Sequence, residues 1–147
     1  MIYTENVKKA AVIALKAHGD SLDKGGMPYI FHPFYLAEQM YDEDSVITAL
    51  LHDVIEDTCV TFDDLKSEGF SQNILDALES ITKEKGEDYF DYIKRVSQND
   101  TAKKVKIADL VHNMELSRLR TVDENAIKRK EKYKKAIEIL SAVDNEK

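Results

Sequence analysis

Apolar residues recur along most of this chain at intervals of three and four, the spacing of one buried face on a helix. Val7, Ala10, Ala11, Ala14 and Leu15 follow that pattern, so a first helix is predicted from about Glu5 to His18, with Thr4 as its N-cap. The stretch GDSLDKGGMPYIFHP then holds both prolines together with Gly19, Gly25 and Gly26 and reads as a loop. In an otherwise helical chain, a loop this long is usually functional. A short helix follows over about 34–41, and Asp44 is expected to cap a third. That third segment carries Val46, Ile47, Ala49, Leu50, Leu51, Val54 and Ile55, apolar almost all round, and belongs in the middle of a bundle.

Thr61 and Asp64 form a capping-box-like start for a fourth helix that ends near Gly69. Ser71 caps a fifth, with Ile74, Leu75, Leu78 and Ile81 on its inner face. A sixth runs over about 88–96, where Tyr89, Phe90 and Tyr92 are either core or a dimer contact. Asp100 is expected to cap a seventh, through Val105, Ile107, Leu110, Val111 and Met114. The last covers about 124–143, with Ile127, Tyr133, Ala136, Ile137 and Leu140 at helical spacing and a Lys- and Glu-rich outer face. The pattern predicts an all-α bundle of about eight helices, and the length of 147 residues suits one domain.

Composition narrows the function classes. Only five glycines and two prolines are present, too few for a strand-and-turn architecture. The formal net charge is −7, which disfavours long nucleic acid as a partner but leaves a small anionic ligand admissible, because a metal or a few local cations reverse the field inside a pocket. Cys59 is the one cysteine and cannot form an internal disulfide, so a reducing, cytoplasmic setting is expected. MIYTENVKKA lacks the apolar run of a signal peptide, and no stretch has the length of a membrane span, so no membrane association is expected.

The informative segment is ALLHDVIEDT, residues 49–58, where His52 and Asp53 interrupt the most apolar helix. Residues three or four apart share a helix face, so His52, Asp53, Glu56 and Asp57 can form one polar patch. Three carboxylates this close repel one another and are costly to bury unpaired. A divalent metal would hold them; the plainer alternative is a helix ending at Val54, with Glu56 and Asp57 in a solvated turn. His32, before Pro33 at a predicted helix start, and Asp109, between Ile107 and Leu110, extend the set to four ligands on three segments. Two imidazoles plus two carboxylates admit Mn²⁺, Fe²⁺, Zn²⁺ or Mg²⁺.

H…HD…D resembles the signature of the HD-domain metal-dependent phosphohydrolases. AHGDSLDKGGMPYIFHP, ALLHDVIEDT and VKIADLVHNM resemble, in order over about residues 5–120, the hydrolase domain of the RelA/SpoT alarmone enzymes and their small stand-alone relatives. That family removes pyrophosphate from the 3′ position of (p)ppGpp, usually with Mn²⁺. The resemblance implies an all-α HD fold with His32, His52, Asp53 and Asp109 as metal ligands. It implies that Glu56 and Asp57 position or deprotonate the attacking water and that Asn113 contacts substrate. This chain is too short to hold the family's synthetase half.

Two places depart from the family pattern. Asp23-Lys24 stands where the family usually has Arg-Lys, and an aspartate cannot stack a base as a guanidinium does. Around Asn113, Leu110, Glu115 and Leu116 replace two arginines and a threonine. The metal and water machinery is intact, while the grip on base and phosphate is altered.

Lys24, in the Gly-rich loop, and Lys106, three residues before Asp109, are candidate phosphate contacts. Each can equally be an ordinary surface or ion-paired lysine. Tyr29 can line a base pocket or pack in the core. His112 reads as a structural hydrogen-bonding group, His18 as a cation on the helix dipole, and Cys59 as inert. Three functions compete: a (p)ppGpp-type 3′-pyrophosphohydrolase, an HD phosphohydrolase acting on another nucleotide or small phosphate ester, and a nucleotide-binding module without turnover. The partner in each is a small molecule, and the oligomeric state is open.

Overall fold

In the computed structural model, residues 1–118 and 124–145 are described. The helices are α1 (Glu5–His18), α2 (Phe31–Glu38), α3 (Glu43–Leu51), α4 (Val54–Asp57), α5 (Phe62–Ser67), α6 (Gln72–Ile81), α7 (Tyr89–Val96), α8 (Asp100–Arg118) and α9 (Glu124–Asn145). Among the described residues there is no strand beyond one isolated bridge, Leu22 to Pro28. The expected all-α architecture is present, with one more helix than the pattern suggested.

α3 is the axis. Every residue from Ser45 to Leu51 is buried, and α1, α2, α6 and α8 pack around it. A helix without a polar face has no solvent side to offer, so its neighbours must cover it on all sides. α1 presents Val7, Ala10 and Ala14, whose small side chains allow close approach, and α6 presents Ile74, Leu75, Leu78 and Ile81.

Four local expectations are corrected. α2 begins at Phe31 rather than 34, so Pro33 lies in its first turn, where a missing N–H still costs nothing. Asp42, not Asp44, caps α3: its side chain accepts from the Ser45 amide at 2.9 Å, which leaves Glu43 and Asp44 in the first helical turn. The polar segment is not one helix. α3 stops at Leu51, and α4 is a single turn after His52 and Asp53. Asn99, not Asp100, starts α8, its side-chain oxygen accepting from the Ala102 amide at 2.9 Å.

The Asp42 cap carries a prediction. Its carboxylate also accepts from the Ser45 hydroxyl and from Lys104 on α8. Burial alone would raise the Asp42 pKa, but the Ser45 amide and hydroxyl and the Lys104 ammonium bring it below the ordinary aspartate value. D42A is expected to lower unfolding free energy by about 1 kcal/mol at neutral pH, measured by urea denaturation. A depressed carboxyl stabilises the fold above its unfolded-state pKa, and that contribution fades as pH falls through the folded value. The deficit of D42A relative to wild type should therefore shrink in acid.

Two further features place the site. The chain from Ser21 to Tyr29 folds back on itself, with Asp23 N–H donating to the Met27 carbonyl at 2.7 Å and Tyr29 N–H to the Ser21 carbonyl at 2.8 Å. Gly26, at φ +85°, makes the reversal. On the other side, α9 packs against α7 and α8. Lys132 and Lys135 lie over the rings of Tyr89 and Phe90 at 3.9 and 4.6 Å, and Tyr92 is core. The aromatic run of α7 is thus occupied within the chain.

Candidate metal centre

His32, His52 and Asp109 come together at the meeting of α2, the end of α3 and α8. They are 7%, 2% and 4% exposed, and one ligand atom from each lies within 4.8 Å of the others. His52 is the residue just past α3. Its Nδ1 lies 2.7 Å from the carbonyl of Ala49, one of the acceptors that a helix end leaves free. A carbonyl only accepts, so Nδ1 carries a proton and a neutral ring presents its lone pair at Nε2.

That Nε2 is buried and makes no aligned hydrogen bond. It nevertheless lies 2.9 Å from Asp53 Oδ2 and 3.5 Å from Asp109 Oδ1. A lone pair facing two carboxylates is repulsive unless a cation stands among them. The donor set therefore fits a divalent ion, with a proton on His52 as the substitute when none is bound. Burial opposes that proton, but the charges of Asp53 and Asp109 overcome it and raise the His52 pKa well above the usual histidine range.

Asp109 is the hub. Its Oδ1 lies 2.8 Å from His32 Nε2 and accepts from Asn113 at 3.2 Å, while Oδ2 accepts from Lys106 Nζ at 2.9 Å. Burial would raise its pKa; the Lys106 cation and the two histidines hold it well below the carboxylate range. Burial also works against the charge on Lys106, yet Asp109 keeps its pKa well above the ordinary lysine value. Asp53 Oδ2 accepts from the Tyr29 hydroxyl. Burial and then the Asp53 charge push the Tyr29 pKa upward, so Tyr29 stays a donor.

Residues 10–142 match the family model described as HD domain. The chain belongs to the HD-domain family. It is 32% identical over 124 residues to the guanosine-3′,5′-bis(diphosphate) 3′-pyrophosphohydrolase of Aquifex aeolicus, a match covering 76% of this chain and 18% of that protein. It is 34% identical over 126 residues to a GTP pyrophosphokinase of Myxococcus xanthus, covering 74% of this chain and 16% of that one. Among solved structures, a metazoan ortholog of SpoT that hydrolyses ppGpp aligns with a TM-score of 0.75 at 20% identity, over 97% of this chain and 87% of that one. At that identity the alignment speaks for the fold. The HD chain spans less than a fifth of the length of the curated relatives it matches.

Beside the centre of this HD domain opens a cavity of about 410 Å³, within the ~300–1,000 Å³ usual for small-molecule sites. Tyr29, His32, Asp53, Lys106, Asp109, Asn113 and Lys24 line it, so seven of the residues singled out from sequence share one pocket. His52 lies buried beneath. Glu56 and Asp57 are not in its lining. Glu56 Oε1 accepts from the Lys83 amide at 2.5 Å, on the α6–α7 connection. That connection is held by Arg95, which donates to the carbonyls of Glu79, Ser80 and Thr82. Although both side chains are exposed, partial desolvation, and then the charge of Asp53, raise the pKa of Glu56 and Asp57 above ordinary carboxylate values; the Lys83 amide only partly offsets this at Glu56.

The pocket also shows what sequence reading missed. Arg129 and Tyr133 of α9 form part of its wall, as does Leu116 of α8. The signal existed: Ala126, Arg129, Tyr133, Ala136 and Leu140 run at spacings of three and four, and Arg129 is a cation set in that apolar stripe. Its Nε is buried without a hydrogen-bond partner. Two readings change. Asp23 Oδ1 accepts from the amides of Gly25 and Met27 at 2.8 and 3.0 Å, so this carboxylate organises its own loop. His18 is no solvated cation on a helix end: it is 4% exposed, lies against the Tyr29 ring with centroids 4.8 Å apart and planes tilted by 52°, and has its pKa lowered by burial.

Proposed function

We propose that this HD domain, read as one unit over residues 1–147, is a divalent-metal-dependent phosphohydrolase that releases pyrophosphate from guanosine 3′,5′-bis(diphosphate). The observation that carries the reading is the buried His52 Nε2 lone pair turned toward Asp53 and Asp109 without a hydrogen bond. The name of the relative from Aquifex aeolicus supports the substrate. Among the described residues no helix is long and apolar enough to cross a membrane. A small nucleotide in a reducing cytoplasm, with Cys59 free, completes the reading.

His32, His52, Asp53 and Asp109 would hold the ion, with Mn²⁺ as our assignment because imidazole and carboxylate together suit a borderline-to-hard cation. When bound, the ion lowers the pKa of water and polarises a phosphoryl oxygen. Glu56, assisted by Asp57, orients the attacking water and accepts its proton; a pKa raised above the ordinary carboxylate value makes it a stronger base than a free glutamate. The water oxygen bonds to phosphorus as its proton passes to Glu56, the bond to the 3′-oxygen breaks, and the leaving 3′-oxygen takes up the proton that Glu56 gives back, so pyrophosphate and a free 3′-hydroxyl result. Lys106 keeps Asp109 ionised. Lys24 contributes positive charge for the phosphates, Asn113 serves as a substrate-side donor, and Tyr29, whose hydroxyl proton goes to Asp53, lines the pocket with its ring.

One observation favours a second reading, hydrolysis of another nucleotide or small phosphate ester. Asp23, at the position where the resemblance implies a base-holding arginine, commits one carboxylate oxygen to its own loop. A panel assay separates the two. Purified protein stripped with EDTA is expected to be inactive. After Mn²⁺ is restored, ppGpp is expected to yield pyrophosphate, and nucleoside monophosphates no phosphate. Phosphate from monophosphates with ppGpp untouched would assign the second reading. Binding with no turnover of any compound would leave a sensing module.

A further inference from the structure

His32 faces the centre with Nε2, which turns its Nδ1 the other way. There Nδ1 meets Nδ1 of His112, on α8, at 2.7 Å. The two rings are nearly parallel, 6° apart with centroids at 5.0 Å. Tyr35, one turn after His32 on α2, stacks on His112 with centroids 4.1 Å apart and planes at 23°. His112 is thus gripped by two residues of α2 at spacing i, i+3, and lies three residues after Asp109. Two facing ring nitrogens at hydrogen-bond distance share a single proton; one donates and the other accepts.

We propose that His112 is a positioning residue: it supplies the lone pair that holds the proton of His32 on Nδ1 and so commits His32 Nε2 to the divalent ion. This rests on the metal-centre reading above. His52 solves the same problem with a backbone carbonyl, and the two histidines are thereby set in the same tautomer by different partners. A neutral imidazole is a suitable acceptor here. A carboxylate in its place would add another negative charge to a region that already holds Asp53, Asp109, Glu56 and Asp57, whereas the ring accepts without adding charge. Stacking on Tyr35 fixes its plane, so the acceptor is oriented before the ion arrives.

The test measures Mn²⁺ binding to the full chain by competition with a chromophoric chelator, with urea unfolding alongside. H112F keeps an aromatic surface for Tyr35 and removes the acceptor. H112N keeps an acceptor and loses the ring. H112F is expected to weaken Mn²⁺ binding about 10–100-fold at unchanged unfolding midpoint, and H112N to recover most of that loss. A readout on the unmutated chain stands beside these: ¹⁵N spectra of the Zn²⁺-loaded protein should show His32 protonated at Nδ1. Wild-type affinity in folded H112F, equal losses in both variants, or an unprotonated His32 Nδ1 would overturn the assignment while leaving the metal centre standing. Failure of the wild-type chain to bind any ion would remove both.

Discussion

Replacing Asp109 with alanine is expected to abolish divalent-ion binding and phosphate-ester hydrolysis together, and to lower folding stability by about 3–5 kcal/mol. Asp109 is buried, faces His32 Nε2 at 2.8 Å and accepts from Asn113 and Lys106. Its removal takes a ligand from the centre and strips Lys106 of the carboxylate that holds its charge. Lys106 has only 14% of its side chain exposed and otherwise lies near the Tyr92 ring, at 5.4 Å. A buried cation without its anion is far costlier than the loss of the pair as a whole. D109N separates the two effects. It preserves shape and an acceptor for Lys106, so the stability loss is smaller than in D109A, while ion binding is still lost. Urea denaturation and Mn²⁺ titration measure the two quantities. In the ion-free wild type, the depressed Asp109 pKa means that its stabilisation is present above the ordinary aspartate value and fades as pH falls through the folded one. D109A should lack that acid dependence. Retained hydrolysis in D109A would discard the metal mechanism.

Glu56→Gln is expected to cut turnover by about 10²–10⁴-fold with ion binding intact. The side chain does not line the metal pocket, and its bond from the Lys83 amide needs only an acceptor oxygen, which glutamine retains. The fold should therefore be unchanged. The pH profile supplies a second check. A base must be ionised, and partial desolvation with the charge of Asp53 sets the Glu56 pKa above the ordinary glutamate value. In wild type, kcat/KM should fall as pH drops through that raised value, and in E56Q this limb should be absent. A wild-type rate in E56Q would transfer the role to Asp57, and D57N is the companion variant.

The helical architecture is legible in the amino-acid order because it depends on local spacing. α1, α6 and α7 lie within a few residues of where periodicity and caps place them, and Thr4, Thr61, Ser71 and Asp88 cap as their side chains allow. Competing caps are harder to separate. Asp42 and Asp44 are equally good N-cap residues in isolation; Asp42 takes the role, accepting from the Ser45 amide and hydroxyl with Lys104 of α8 beside it. The break after Leu51 is hidden for a related reason. An apolar run reads as one helix until a side chain such as His52 offers Ala49 an alternative hydrogen bond.

The four proposed ligands are identifiable as types, since His and Asp inside apolar segments need a partner wherever the chain folds. The shape of their pocket is not. Glu56 shares a sequence segment with His52, yet it turns to Lys83, because Arg95 holds that distant connection against the end of α6. Arg129 and Tyr133 reach the cavity from α9, more than seventy residues beyond His52.

Sequence by itself determined the helices, the apolar axis and which side chains are chemically unusual, because these follow from periodicities of a few residues and from the cost of burying charge. Tertiary packing alone decided which lone pairs face one another, which lysine neutralises Asp109 and which ring holds the proton of His32. Those are matters of ångströms between residues far apart in the chain, and no local pattern encodes such distances.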